Sequence, residues 1–135
     1  MQQPEGYVQN NKLVCKLHKA IYGLKQAPRV WYEKLKSTLS SLGFSPTKSD
    51  NALYVKLHEG KTVYILVYVD DILVTGDNDE EVNKIISYLN HTFSIKDLGN
   101  LNYFLGIEIL QKNNTEIILS QKKYISEILT RAKMD

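Results

Sequence analysis

Apolar residues recur along this chain with two different periods, and the switches between them mark out its elements. Around and beyond Pro28, Ala27, Trp31, Leu35, Leu39 and Leu42 share a helical spacing, and Gly43 supplies a stop where the chain can turn with positive φ. This predicts an amphipathic helix with Trp31 in its buried stripe. Pro46 to Asn51 is rich in turn formers, and the next apolar runs have strand length. Ala52 to Leu57 and Thr62 to Val69, joined by His58-Glu59-Gly60-Lys61, predict a hairpin whose second strand is apolar on both faces. Asp70-Asp71 then interrupts the apolar run, and Ile72 to Thr75 resumes it as far as Gly76. A second tight hairpin is expected across Tyr68 to Ile72, with the carboxylates at its tip.

The helical period returns at Val82, Ile85, Ile86 and Leu89, opened by capping and acidic residues over Asp77 to Glu81. Phe93 to Ile95 and Tyr103 to Leu110 read as extended. Lys112-Asn113-Asn114-Thr115 reads as a turn and Glu116 to Leu119 as the returning strand. Ser120 is placed to cap a last helix with Ile125, Ile128, Leu129 and Ala132 on one face. At the other end, Met1 to Asn11 is a polar arm, followed by a short extended segment from Leu13 to Leu17. Strands and amphipathic helices alternating around antiparallel hairpins predict an α+β fold in which helices cover one face of an antiparallel sheet.

Composition adds bounds. At 135 residues and 43% hydrophobic the chain makes one domain with a small core, and a net charge of +2 permits a nucleic-acid partner without demanding one. Cys15 is the only cysteine, so an intramolecular disulfide or a multi-thiolate metal site is excluded. The apolar run Val63 to Val69 is far shorter than the roughly 20 residues of a membrane span, and no signal-peptide pattern opens the chain, so no membrane association is expected. Asn90-His91-Thr92 and Asn113-Asn114-Thr115 match the glycosylation acceptor pattern but carry no weight without a secretory signal. Asp77-Asn78-Asp79-Glu80-Glu81 resembles a calcium loop only superficially, because Val82 stands where that loop needs glycine; a helix cap explains it better. His18, His58 and His91 lack ligand spacing.

The chemistry concentrates at Asp70-Asp71. Adjacent carboxylates raise each other's pKa, and a divalent cation removes that cost. Mg²⁺ favours one or two carboxylates with water and substrate phosphates, the set needed to align an attacking hydroxyl with a phosphoryl centre. A plain Asp-Asp turn is the competing explanation, since aspartate favours turns in any setting.

The string Leu66-Val67-Tyr68-Val69-Asp70-Asp71-Ile72-Leu73-Val74 resembles the YVDD motif of Ty1/copia-type retrotransposon reverse transcriptases. Upstream, Tyr22-Gly23-Leu24-Lys25-Gln26-Ala27-Pro28-Arg29 is similar to that family's block ahead of the palm helix. Downstream, Phe93 to Gly99 and Tyr103 to Ile109 are similar to its closing blocks, the latter to the primer-gripping hairpin.

The resemblance implies a polymerase palm lacking its first catalytic strand, as a partial reverse transcriptase domain over residues 1–135: an arm over 1–12, the palm core over 13–119 and the start of a following helix over 120–135. It implies RNA-directed DNA polymerisation by two-metal nucleotidyl transfer, with Mg²⁺ or Mn²⁺ as cofactor. Asp70 becomes the principal metal carboxylate and Asp71 its weaker partner; Tyr68 and Val69 contact the primer end. Gly23, Lys25, Gln26 and Arg29 meet the nucleotide or template, Phe104, Leu105 and Gly106 shape the primer grip, and Lys96 assists the leaving pyrophosphate. Lys25 and Arg29 are equally well explained as solvated charges, and Trp31, despite Tyr32 and the basic residues beside it, is better explained as core than as a base-stacking platform. The implied partners are an RNA or DNA template with primer and dNTPs, and the remainder of a Pol polyprotein. The implied setting is intracellular, in a cytoplasmic virus-like particle or the nucleus. The family's further metal-binding aspartate lies in a strand ahead of Pro4-Glu5-Gly6-Tyr7, so the isolated chain is expected not to polymerise. The alternative is a catalytically inactive palm remnant serving as a nucleic-acid-binding or interaction module.

Overall fold

The structure, a computed structural model, describes every residue except 1, 9, 11, 22, 114, 115 and 135. The tip of the turn expected over Lys112 to Thr115, its acceptor pattern, Tyr22 of the upstream block, parts of the amino-terminal arm and the carboxyl-terminal Asp135 therefore lie outside the described residues.

The first helix, α1 (Ala27–Ser41), begins with Pro28 in its opening turn, where a missing N–H costs nothing, and ends at Leu42 and Gly43, whose φ of 87° reverses the chain. A two-residue strand β1 (Ser45–Pro46) pairs with β2 (Leu53–His58), which turns through Glu59-Gly60 into β3 (Lys61–Tyr68); β4 (Asp71–Gly76) follows, giving an antiparallel sheet of order β1-β2-β3-β4. Helix α2 (Asp79–Phe93) is capped by Asn78, whose side chain accepts the Glu81 N–H at 3.1 Å. A separate three-stranded antiparallel sheet, β5 (Tyr103–Phe104), β6 (Ile107–Asn113) and β7 (Glu116–Ser120), precedes α3 (Lys122–Ala132).

Period-2 alternation decides where the core sits. Val63, Ile65 and Val67 of β3 point with Tyr54 of β2 to one face, where they meet Leu35, Thr38 and Leu39 of α1, Phe44, and Ile85 and Leu89 of α2. Trp31 packs at the edge of this core with its ring 6.4 Å from that of Phe93, edge to face, so it is a packing residue. The Tyr54 hydroxyl sits 3.2 Å from that of Tyr32; burial, then that hydrogen bond, pushes Tyr54 up to about 12. The opposite sheet face, with Leu57, Tyr64 and Tyr68, is left open.

An α+β fold with α1 and α2 on one face of an antiparallel sheet is present, but the strands after α2 form a sheet of their own instead of joining the first, and three segments differ from expectation. Leu13 to Leu17 forms no strand: no described strand pairs with it, and Leu13 and Val14 are exposed. Phe93 is the last residue of α2 rather than the start of a strand, because it continues the Leu89 stripe and packs on the core; the helix ends at Ser94, φ 52°. Tyr103 to Leu110 is not one extended segment, since Leu105 and Gly106, at φ 50° and 83°, fold it into a two-residue hairpin. Ser120 does serve the last helix, accepting the Lys122 N–H at 3.2 Å, although Gln121 occupies the cap position.

Candidate functional site

The site is built at the joint of β3 and β4. Both strands are held from below: β3 is the central strand of the sheet, and its buried Val63, Ile65 and Val67 anchor it to both helices. Their register is unbroken from Val63↔Gly76 to Tyr68↔Asp71, leaving Val69 and Asp70 as a two-residue loop. Val69 carries a φ of 53°, which a β-branched residue adopts only under strain, whereas Asp70 has no positive φ. A positive φ at the first loop position alone is the pattern of a type II′ turn, in which glycine is the usual occupant.

The consequence is geometric. Tyr68 and Asp71 stand directly opposite one another, so both side chains project to the sheet face away from the helices, while Val69 and Asp70 form the apex. Tyr68 is 51% and Val69 72% exposed, and both aspartates are exposed. Two carboxylate residues in succession thus stand beside an exposed tyrosine at an apex open to water, and carboxylate oxygens are the donor type that a hard divalent cation takes. Among the described residues no group of three His, Cys, Asp or Glu gathers that could hold a metal ion.

The far end of the same strand pair has a brace that the sequence reading did not assign. The Asp77 carboxylate accepts the Thr62 N–H at 2.9 and 3.0 Å, and the Asp77 N–H donates to the Thr62 carbonyl at 3.2 Å. Asp77 thus extends the ladder by one pair beyond Gly76 instead of opening the helix. An acidic residue immediately after a strand-ending glycine was the available signal.

The other expected site residues lie elsewhere on the surface. Gly23, φ 90°, turns the chain ahead of α1; Lys25 is exposed; Gln26 holds the cap position of α1 without a side-chain capping bond. Arg29 is exposed and donates from Nε to Glu33 at 2.8 Å, a contact that raises the guanidinium above its ordinary value. Phe104 ends β5 and Leu105-Gly106 is the turn of the second sheet; Lys96 is exposed between α2 and β5. Tyr68, Val69, Asp70 and Asp71 are brought together. Among the described residues no hydrogen bond or ion pair ties the other groups to them.

Residues 1–135 match the family model described as reverse transcriptase (RNA-dependent DNA polymerase). Among curated proteins, the chain is 47% identical over 99% of its length to the retrovirus-related Pol polyprotein from transposon RE1 of Arabidopsis thaliana. It is 43% identical to that from transposon RE2 of the same plant and 41% to that from transposon TNT 1-94 of Nicotiana tabacum, again over 99% of the chain. It spans only 9%, 9% and 10% of these three relatives. No solved structure matches it.

Proposed function

This chain belongs to the reverse transcriptase (RNA-dependent DNA polymerase) family, and from that premise we propose that it carries part of the metal-dependent nucleotidyl-transfer site of a copia-type Pol polyprotein. The observation that carries the reading is the placement of Asp70 and Asp71 at the exposed apex of a strand pair whose other end is locked into the core. Asp70 and Asp71 would hold Mg²⁺ or Mn²⁺, which supplies charge neutralisation at the phosphates and activation of the attacking hydroxyl. Tyr68 and Val69 support the primer end against the open sheet face. Gly23, Lys25, Gln26 and Arg29 serve nucleotide or template; Arg29 must then exchange Glu33 for phosphate, a bidentate contact it is suited to make. Phe104, Leu105 and Gly106 form a primer grip whose two-residue turn lets a backbone approach closely, and Lys96 assists the leaving pyrophosphate. The template, the primer, the remainder of the polyprotein and an intracellular setting follow from the same reading.

A second reading is an inactive palm fragment acting as a nucleic-acid-binding or interaction module, in which Asp70 and Asp71 are a charged turn at the exposed end of the strand pair.

Two measurements separate them. In a longer protein that carries this chain together with the rest of its relatives' polymerase region, Mg²⁺-dependent primer extension is expected. Asp70→Asn should reduce it by about a hundredfold to a thousandfold, on the scale of losing a principal electrostatic group at the reacting centre; undiminished extension by Asp70→Asn sinks the enzyme reading. In the 135-residue chain, Mn²⁺ should broaden the amide resonances of Val69 to Ile72 selectively, and Asp70→Asn should abolish that broadening. Uniform or absent broadening leaves the module.

A further inference from the structure

Helix α1 meets the first sheet differently at its two ends. Its buried residues, Leu35, Thr38 and Leu39, lie in the later turns, whereas from Ala27 to Lys34 none is buried and Trp31 packs at the edge of the core against Phe93 of α2. Among the described residues, the only side-chain hydrogen bond between α1 and the sheet falls in this earlier stretch, where the Tyr32 hydroxyl lies 3.2 Å from that of Tyr54 on β2.

Tyr54 is 1% exposed, so its hydroxyl has given up water and reaches no ligand. A hydroxyl so placed is costly without a partner, and phenylalanine would fill the same space with no such need. What the bond adds is direction. Apolar contacts tolerate sliding, whereas two hydroxyls lose their bond beyond about 3.5 Å.

The two ends of this bond belong to different parts of the site. Tyr32 stands one turn beyond Arg29, on the helix whose cap position is Gln26 and whose approach carries Lys25. Tyr54 pairs with Ile65 of β3, three residues, or about 10 Å, before Tyr68, which stands opposite Asp71. Gln26 lies nine residues, about 14 Å along the axis, from buried Leu35, so a tilt of about 4° there moves it by about 1 Å. Displacements of that size matter for groups that must meet a ligand.

We infer that Tyr32 and Tyr54 are positioning residues: their hydroxyl pair fixes the amino-terminal end of α1, with Lys25, Gln26 and Arg29, over the sheet that carries Asp70 and Asp71. Their effect runs through the role proposed for those three residues with nucleotide or template, on which this inference rests.

In the longer protein that carries the polymerase region, Tyr54→Phe should raise KM for the dNTP or the template–primer about three- to tenfold, the scale of one hydrogen bond, with kcat within about twofold. Stability separates positioning from packing. Tyr32→Phe leaves the Tyr54 hydroxyl buried without a partner and should destabilise the protein, whereas the double variant, Tyr32→Phe with Tyr54→Phe, restores an apolar pair and should recover stability. KM should stay raised in both. Tyr88→Phe, exposed on α2, should change neither quantity. Mn²⁺ broadening of Val69 to Ile72 in the 135-residue chain should be the same in Tyr54→Phe as in the wild type, since the carboxylates ride on the sheet. An unchanged KM in Tyr54→Phe overturns the inference. So does a KM that returns with stability in the double variant, which would make the bond structural only. Failure of the underlying reading is seen separately, as full extension by Asp70→Asn, and takes the inference with it.

Discussion

At the scale of single residues, the three two-residue hairpin loops among the described residues differ at one position. Glu59-Gly60 and Leu105-Gly106 have positive φ at both loop residues, 51° and 76° in the first and 50° and 83° in the second, with glycine at the second. This is the type I′ arrangement that right-twisted strands favour. The Val69-Asp70 loop has no glycine, and Val69 bears the positive φ with a branched Cβ. Such a residue stores on the order of 1–3 kcal/mol. Relieving it with glycine costs about 0.5–1 kcal/mol in chain entropy, so Val69→Gly should raise stability by roughly 1 kcal/mol. Urea denaturation of the purified chain measures this, and a destabilised Val69→Gly would show that the backbone there is not strained. The carboxylate tip was legible because two charges interrupt apolar runs. The strain was not, since hydropathy carries no φ.

At the scale of elements, the strand pair and the helix that follows it meet at Gly76. A Cβ there would lie 2.6 Å from the Thr62 carbonyl oxygen and 3.1 Å from a Val82 methyl. The first neighbour is backbone, already held by the Asp77 N–H, and cannot swing aside. Gly76→Ala is therefore expected to cost about 2–4 kcal/mol, at the upper end of overpacking, because the ladder or α2 must shift. Thermal unfolding followed by circular dichroism would register it; a loss below about 0.5 kcal/mol would mean that both the strand at Thr62 and α2 give way at little cost. The sequence showed Gly76 as the end of a strand but not as a contact, which exists only once α2 folds back. The same limit explains the misread segments. Tyr103 to Leu110 looks continuous because its apolar residues run through the turn and Gly106 is the sole punctuation. Phe93 was separable from α2 only by ignoring its four-residue spacing from Leu89.

At the scale of the whole molecule, buried side chains are unevenly shared. Every residue of the core cluster lies between Leu35 and Leu89, on α1, the strands of the first sheet, α2 and Phe44. Among the described residues after Leu89 none is buried, and Ile117, Leu119, Ile125 and Ile128 remain largely exposed although the sequence places them on apolar faces. Hydrogen bonds of β6 and β7 therefore have little apolar cover, and local opening there costs less than opening the core. Amide exchange should rank accordingly, with Val63 to Val67, Leu35 to Leu39 and Ile85 to Leu89 slowest and residues of β5 to α3 faster by at least about a hundredfold, equivalent to about 2.7 kcal/mol of opening free energy. Limited trypsin digestion should cut in the exposed segment ahead of α1, at Lys12 to Lys25, and beyond α2, at Lys96, and leave a product that retains α1, the first sheet and α2. Equal protection across both sheets would mean that they unfold as one cooperative unit. The asymmetry bears on the site itself: Asp70 and Asp71 ride on the well-packed sheet, while Phe104 to Gly106 ride on the lightly packed one, so the core positions the carboxylates more firmly than the turn at Leu105-Gly106.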